Sequence, residues 1–300
     1  MKNKSILFIL SCVIFFSCGA DKKEEAIKFF QRGNYKLKDK EYQEAIHWFD
    51  EAIIQNPDFA DAYNNRALAY QKLDKLDEAL ADLDKAIDLD KKYWEAYYNR
   101  SEIFFQKGDF QNSLVDLEKI SVPFKDSSFY FVSLGNVKVQ MNNSSGATAD
   151  YEKALRINPK NAEAYSNHGF IYFENKQYDL AKKDFQKAIA INPKQDFALN
   201  NLAFILSEEQ KFQEAKVYSE QAIALKPTDA IYLNNYGYIL LQIGKLELAK
   251  ETLERSLRIN PQNAYTLRNL GYYFRKIGKE TEAQAKFTEA KKLDNSIEIK

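Results

Sequence analysis

The chain has 300 residues, and its 43 basic and 43 acidic side chains cancel to a formal charge of zero. That balance excludes a generally basic nucleic-acid binder. With 45% hydrophobic residues, 21 Phe and 19 Tyr it is too apolar to be disordered, while only 10 Gly and 6 Pro point to long helices with little strand.

Two Cys and two His supply no disulfide framework and almost no metal or imidazole chemistry. Both cysteines lie near the start. Charge is uneven along the chain: residues 19–127 carry 17 basic and 23 acidic groups, residues 128–300 carry 24 and 20. Ordinary solvated helix faces account for this asymmetry.

Lys2 and Lys4 precede an apolar run from Ile6 to Phe16, broken only by Ser11 and Cys12. Eleven residues are too few to span a bilayer as a helix, which takes ~20. A short basic start followed by a short apolar run has the form of a secretory signal peptide. The run ends in Phe15-Phe16-Ser17-Cys18-Gly19 and resembles a bacterial lipoprotein signal, over residues 1–17. Ser17 fits the small residue before the modified cysteine, and Phe15 departs from the usual Leu. The resemblance implies lipid attachment at Cys18 and a place in the bacterial cell envelope, as an outer-membrane lipoprotein facing the periplasm or the surface. Several acyl chains, at ~0.8 kcal/mol per buried methylene, anchor stably where one does not. Residues 18–25 then form a charged tether with Asp21, Lys22, Lys23, Glu24 and Glu25.

Beyond residue 25 one period governs the sequence. Pro57, Pro159, Pro193, Pro227 and Pro261 share a phase of 34 residues. Ala45, Ala79, Ala147, Ala181, Ala215, Ala249 and Ala283 repeat it, with Ser113 at the missing step. Eight units follow without a break in phase: 26–59, 60–93, 94–127, 128–161, 162–195, 196–229, 230–263 and 264–297, then a tail at 298–300. In the fifth unit Tyr165, His168, Gly169 and Tyr172 form one stripe of a first helix. Tyr178, Ala181, Phe185 and Ala188 form the buried stripe of a second, and Asn192-Pro193 ends it. Gly169, like Gly33, Gly135, Gly237 and Gly271, lets the two helices approach closely.

A 34-residue helix–turn–helix unit with this spacing resembles the tetratricopeptide repeat. The expected fold is therefore all-α, a right-handed superhelical solenoid of eight repeats, since one unit cannot bury its stripe alone. Ser113, Ile120 and the out-of-phase Pro123 make the third unit irregular and predict a softening or bend over residues 120–146. Glu280, Lys291 and Lys292 give the last helix the polar outer face of a terminal cap.

The resemblance also implies a concave groove lined by the second, fifth, sixth, ninth and thirteenth places of the first helices. The sixth place holds Asn65, Asn99, Asn167, Asn201, Asn235 and Asn269, with Gln31 and Ser133 in the other two units. An amide both donates and accepts, so a row of them pairs with an extended peptide backbone at ~0.5–1.5 kcal/mol per bond, or simply faces solvent. Phe170, Phe204, Tyr238 and Tyr272 fill the ninth place of the last four units, and Phe129, Phe197 and Tyr265 stand at the second. Large aromatics on a wet face mark an interaction surface, or else pack between neighbouring first helices. Arg268, Arg275 and Lys276 add positive charge at the C-terminal end, suited to an acidic partner. The chaperone-tail clamp of some tetratricopeptide domains is not matched, because Phe30 stands at a lysine place and Glu102 brings the wrong charge.

No metal-ligand spacing, phosphate loop or nucleophile signature appears, and residues 26–297 leave no room for a catalytic domain. The expectation is a non-enzymatic scaffold without cofactor. It is held at a membrane by its lipid and binds a protein, as an extended peptide or helix, in the groove. Neither nucleic acid nor a small-molecule substrate is expected. Self-association into an envelope structure and carbohydrate handling are the alternatives.

Overall fold

The computed structural model describes residues 4–299, with side chains from Asp21 onward. Sixteen helices and no strand are present among the described residues. They follow one another as the first and second helices of eight successive repeats: α1 (Lys4–Lys38) and α2 (Tyr42–Gln55), α3 (Ala60–Lys72) and α4 (Leu76–Leu89), α5 (Trp94–Gln106) and α6 (Phe110–Lys119), α7 (Ser128–Gln140) and α8 (Ser144–Ile157), α9 (Ala162–Glu174) and α10 (Tyr178–Ile191), α11 (Asp196–Glu208) and α12 (Phe212–Leu225), α13 (Ala230–Gln242) and α14 (Leu246–Ile259), α15 (Ala264–Lys276) and α16 (Glu280–Leu293). This is the all-α helical-repeat solenoid that the period of 34 implies. The chain divides into two compact units, Met1–Asn143 and Ser144–Lys300. Residues 21–25, read as a tether, belong to the single helix α1. No helix among the described residues is long and apolar enough to cross a membrane.

The fifteenth place of every repeat adopts the left-handed conformation that reverses the chain between paired helices. Gly108, Gly244 and Gly278 hold it at φ 77–78°, and Lys40, Asp74, Asn142, Lys176 and Gln210 at 58–63°. The following N–H reaches back to the helix it has left, as Lys75 does to the Tyr70 carbonyl at 3.0 Å. Second helices other than α6 and α12 end on an Asx turn: Asn192 Oδ1 accepts from the Lys194 N–H at 3.1 Å, and Asn260 Oδ1 from Gln262 at 3.1 Å.

In the first, second, fifth and eighth repeats the second helix buries an alanine–large–alanine stripe against its partner, while the sixth has Ser219 at the large place. Ala45, Phe49 and Ala52 are fully buried in the first repeat, Ala181, Phe185 and Ala188 in the fifth. Where the first helix carries a glycine, the large residue packs against its bare backbone. A Cβ on Gly33 would lie 2.5 Å from the Phe49 ring, and one on Gly237 2.6 Å from Leu253.

The third repeat departs from the pattern as its sequence does. Its second helix has 10 residues where α2 and α4 have 14. Pro123 stands where those helices complete their last turn; it lacks an N–H and disfavours helix at Val122. The chain turns instead, and Phe124 packs against Tyr98 and Phe129 at ring distances of 6.1 and 5.6 Å. At the other end α16 buries Ala283, Phe287 and Ala290 and leaves Glu280, Lys291 and Lys292 exposed. Ile297 folds back against Ala264, Leu267 and Ala290 and closes the C-terminal end of the core.

Candidate functional site: the first-helix face

In the unit Met1–Asn143, α1 contacts α3 and α3 contacts α5 directly. In Ser144–Lys300 the same holds for α9 with α11, α11 with α13 and α13 with α15. Within each unit second helices pack on the first helix that follows them, and α2, α4, α6, α10, α12, α14 and α16 also on their own first helix. The first helices thus form an inner wall within each unit, and the candidate residues lie on it.

The amides of that wall bond to one another. In the N-terminal unit Asn99 Nδ2 donates to Asn64 Oδ1 at 2.9 Å, Asn64 Nδ2 to Asn65 Oδ1 at 2.9 Å and Asn65 Nδ2 to Asn34 Oδ1 at 2.7 Å. In the C-terminal unit Asn269 donates to Asn234 at 2.9 Å and Asn234 to Asn235 at 3.2 Å in the same order, but Asn235 ends on the fifth-place Asn200 at 3.0 Å where Asn65 ends on the ninth-place Asn34. Asn201 instead donates to the Phe197 carbonyl of its own helix at 2.9 Å. Asn201 and Asn269 are only 6% and 1% exposed, whereas Asn65, Asn99, Asn167 and Asn235 are half-buried. The sequence reading opened the whole sixth-place row to a ligand. At Asn201 and Asn269 neighbouring first helices approach closely enough to enclose that place. The fifth-place partners Asn64, Asn200 and Asn234 were missed, although the doubled Asn-Asn at 64–65, 200–201 and 234–235 was their signal.

The aromatic row splits in two. Phe170 and Phe204 are half-buried and share a cluster with Phe173 and Phe197: Phe170 lies 5.1 Å from Phe197, and Phe173 5.3 Å from Phe204. These rings pack between α9 and α11. Further along, Tyr238 and Tyr272 are half-buried, while Ile231 and Tyr265 stand 61% and 50% exposed. Burial raises the Tyr238 pKa, and the Glu208 charge adds to that while Arg268 opposes it. The Arg268 guanidinium lies over Tyr265 at 5.2 Å and Tyr272 at 5.8 Å. Arg275 covers the Phe287 ring at 4.6 Å and approaches Glu280 at 3.7 Å. Cys18, the lipid-attachment residue of the sequence reading, has its side chain outside the described residues.

Behind the wall, the seventh place ties helix to helix. Arg66 donates to both carboxylate oxygens of Asp82 at 2.7 and 2.6 Å and to Asp50 of the preceding repeat at 2.5 Å. Arg100 does the same with Asp116 at 2.7 and 2.7 Å and Asp84 at 2.6 Å. Burial works against the Arg66 charge, but its carboxylate bonds outweigh that and raise its pKa. At the equivalent place His168 is buried, with Nδ1 2.8 Å from Asp184 Oδ2 and its ring against Tyr172.

Tetratricopeptide repeat models match residues 28–74 and 135–176, 60–93 and 162–195, 206–269, and 185–217. With eight helix pairs in one phase, the chain belongs to the tetratricopeptide repeat family and is a helical-repeat scaffold of the kind that engages protein partners. Over 50 residues it is 44% identical to Hsp70-Hsp90 organizing protein 3 of Arabidopsis thaliana, and equally to the Hsp70-Hsp90 organizing protein of Triticum aestivum. That stretch is 17% of this chain and only 9% of the length of those relatives. Among solved structures, a tetratricopeptide repeat protein from Parabacteroides merdae superposes with a TM-score of 0.64 at 17% identity, covering 84% of this chain and 99% of that one. PilF of Pseudomonas aeruginosa gives 0.59 at 20% identity, covering 68% and 93%. YrrB, described as a TPR protein with an unusual peptide-binding site, gives 0.51 at 22%, covering 60% and 93%.

Proposed function

We propose that this protein is a lipid-anchored scaffold of the bacterial cell envelope, an outer-membrane lipoprotein that holds a polypeptide partner against its first-helix face. The observation that carries the reading is the exposed apolar surface of Ile231 and Tyr265 beside half-buried Tyr238 and Tyr272. Large apolar side chains left in water beside one another invite a covering surface. The peptide-binding site named for YrrB supports the same use of the fold. Cys18, preceded by Ser17 and the short apolar run, supplies the anchor.

The anchor and the face are tested separately. Cys18→Ser is expected to abolish fatty-acid labelling and release the protein from the membrane fraction; labelling that persists removes the lipoprotein reading. A photo-crosslinking residue at position 231 in intact cells is expected to capture a distinct polypeptide, and the same group at exposed Gln186 on α10 is not. Equal capture from both positions removes the first-helix face as the binding surface.

A further inference from the structure

Charge is segregated along the first-helix face of the unit Ser144–Lys300. The helix α9 contributes exposed Glu163 and Glu174, and α11 contributes exposed Glu208. No charged residue lies in α13, and α15 carries Arg268, Arg275 and Lys276 with no acid. Two of those three cations are engaged: Arg275 with Phe287 and Glu280, and Lys276 through a bond from Nζ to the Leu241 carbonyl at 2.8 Å.

Arg268 differs. No acid lies within ion-pair distance of it among the described residues, and its Nε is buried without an acceptor. The rings of Tyr265 and Tyr272 hold its guanidinium in place. The equivalent place in the two preceding repeats is Asn200 and Asn234, both members of the amide ladder. The ladder therefore gives way to a cation at its last step. Beside it, Asn269 Oδ1 is also buried and has no donor. An arginine fixed by stacking presents its donors with little rotamer freedom left to lose, which suits a planar carboxylate.

We propose that Arg268, between Tyr265 and Tyr272, is the acid-selecting end of this face: the bound polypeptide sets a carboxylate on Arg268 and runs apolar side chains over Tyr238 and Ile231. The carboxylate is that of an Asp or Glu side chain of the bound polypeptide. Glu208 acts on the neighbouring Tyr238 and disfavours a second acid there, so a segment acidic at one end binds in one direction only. This rests on the reading of the face as a polypeptide site.

The test uses the full chain carrying Cys18→Ser, immobilised and offered two random peptide libraries, one with free C-terminal carboxylates and one amidated. Retained peptides are sequenced, and the selection is repeated with Arg268→Gln and Arg268→Lys. A charge-assisted bond to a fixed arginine is expected to enrich acidic peptides about tenfold. Arg268→Gln should abolish the enrichment, while Arg268→Lys keeps part of it. Enrichment of Asp or Glu in both libraries is the expected result, and retention that follows the free C-terminal carboxylate alone overturns the side-chain assignment. Peptides retained with no acidic preference, or with one that Arg268→Gln leaves intact, overturn this inference and leave the polypeptide reading standing. Retention no better than bare matrix overturns both. Unchanged circular dichroism and thermal midpoint of Arg268→Gln confirm that a lost preference is not lost folding.

Discussion

In the unit Met1–Asn143 the seventh place of the repeat carries Arg32, Arg66 and Arg100 before Leu134; in Ser144–Lys300 it carries His168, Leu202, Tyr236 and Leu270. The partner place on the second helix changes with it. Arg32 lies over Trp48 at 5.0 Å, and Arg66 and Arg100 clamp Asp82 and Asp116. Leu202 is fully buried, and Tyr236 donates from its hydroxyl to Glu220 of the preceding repeat at 2.8 Å. One backbone thus joins its repeats through charge at one end and through apolar packing and single hydrogen bonds at the other. A charged joint is worth little more than a good apolar one, yet it fails badly when half of it is removed.

The sharpest way to break this contrast is Arg66→Ala. Asp82, 8% exposed at its side chain, would be left buried without its cation. The cost expected is about 3 kcal/mol, the lower end for a broken buried pair because Asp50 keeps the site partly wet. Both tryptophans, Trp48 and Trp94, lie in the N-terminal unit, so their fluorescence reports that unit alone. In urea, fluorescence should change well before far-ultraviolet circular dichroism completes its transition. Replacing both partners together, Arg66→Leu with Asp82→Leu, should restore most of the loss. Coincident, unshifted transitions for Arg66→Ala would mean that the clamp contributes nothing.

Much of this architecture was legible in the sequence, because the period of 34 is written independently in prolines, alanines and glycines. Small residues are demanded wherever two helix axes approach, so Gly33 and Gly237 named their own role. The left-handed turn residue was hidden, since only three of the eight repeats spend a glycine on it. The clamps were hidden for another reason: Arg66 and Asp82 are sixteen residues apart and meet only across a folded hairpin. The amide ladder mixes both cases. Helical spacing put the asparagines on the correct wall, but whether they meet water or each other depends on the distance between neighbouring first helices, which no single-helix pattern encodes.

A milder probe applies one substitution to both units. Gly33→Ala and Gly237→Ala each place a methyl group 2.5–2.6 Å from a buried side chain, Phe49 or Leu253. Each should cost about 1–3 kcal/mol through overpacking. Gly169→Ala should cost less, since its nearest neighbours stand at 3.1 Å and need move only slightly. Only Gly33→Ala should shift the tryptophan transition, with Gly237→Ala visible by circular dichroism alone. A fluorescence shift in Gly237→Ala equal to that in Gly33→Ala would show that the two units unfold as one body.

The smallest effect concerns an ion pair in the apolar unit. Asp196 accepts from the Tyr232 hydroxyl at 2.7 Å and pairs with Lys226 at 2.7 Å. Burial alone would raise its pKa, but these two partners outweigh burial and hold it below the ordinary carboxylate value. A carboxyl depressed in the folded state stabilises the fold above its unfolded pKa of ~4 and loses that contribution as the pH falls through the folded value. Asp196→Asn should therefore lower the thermal midpoint slightly at pH 7, by about 2 °C or less for a partly exposed pair. Once the pH has fallen below the folded value, the variant and the parent should converge. A gap that persists or widens in acid would mean that this side chain acts through shape and hydrogen bonding alone, and that its charge contributes nothing at this joint.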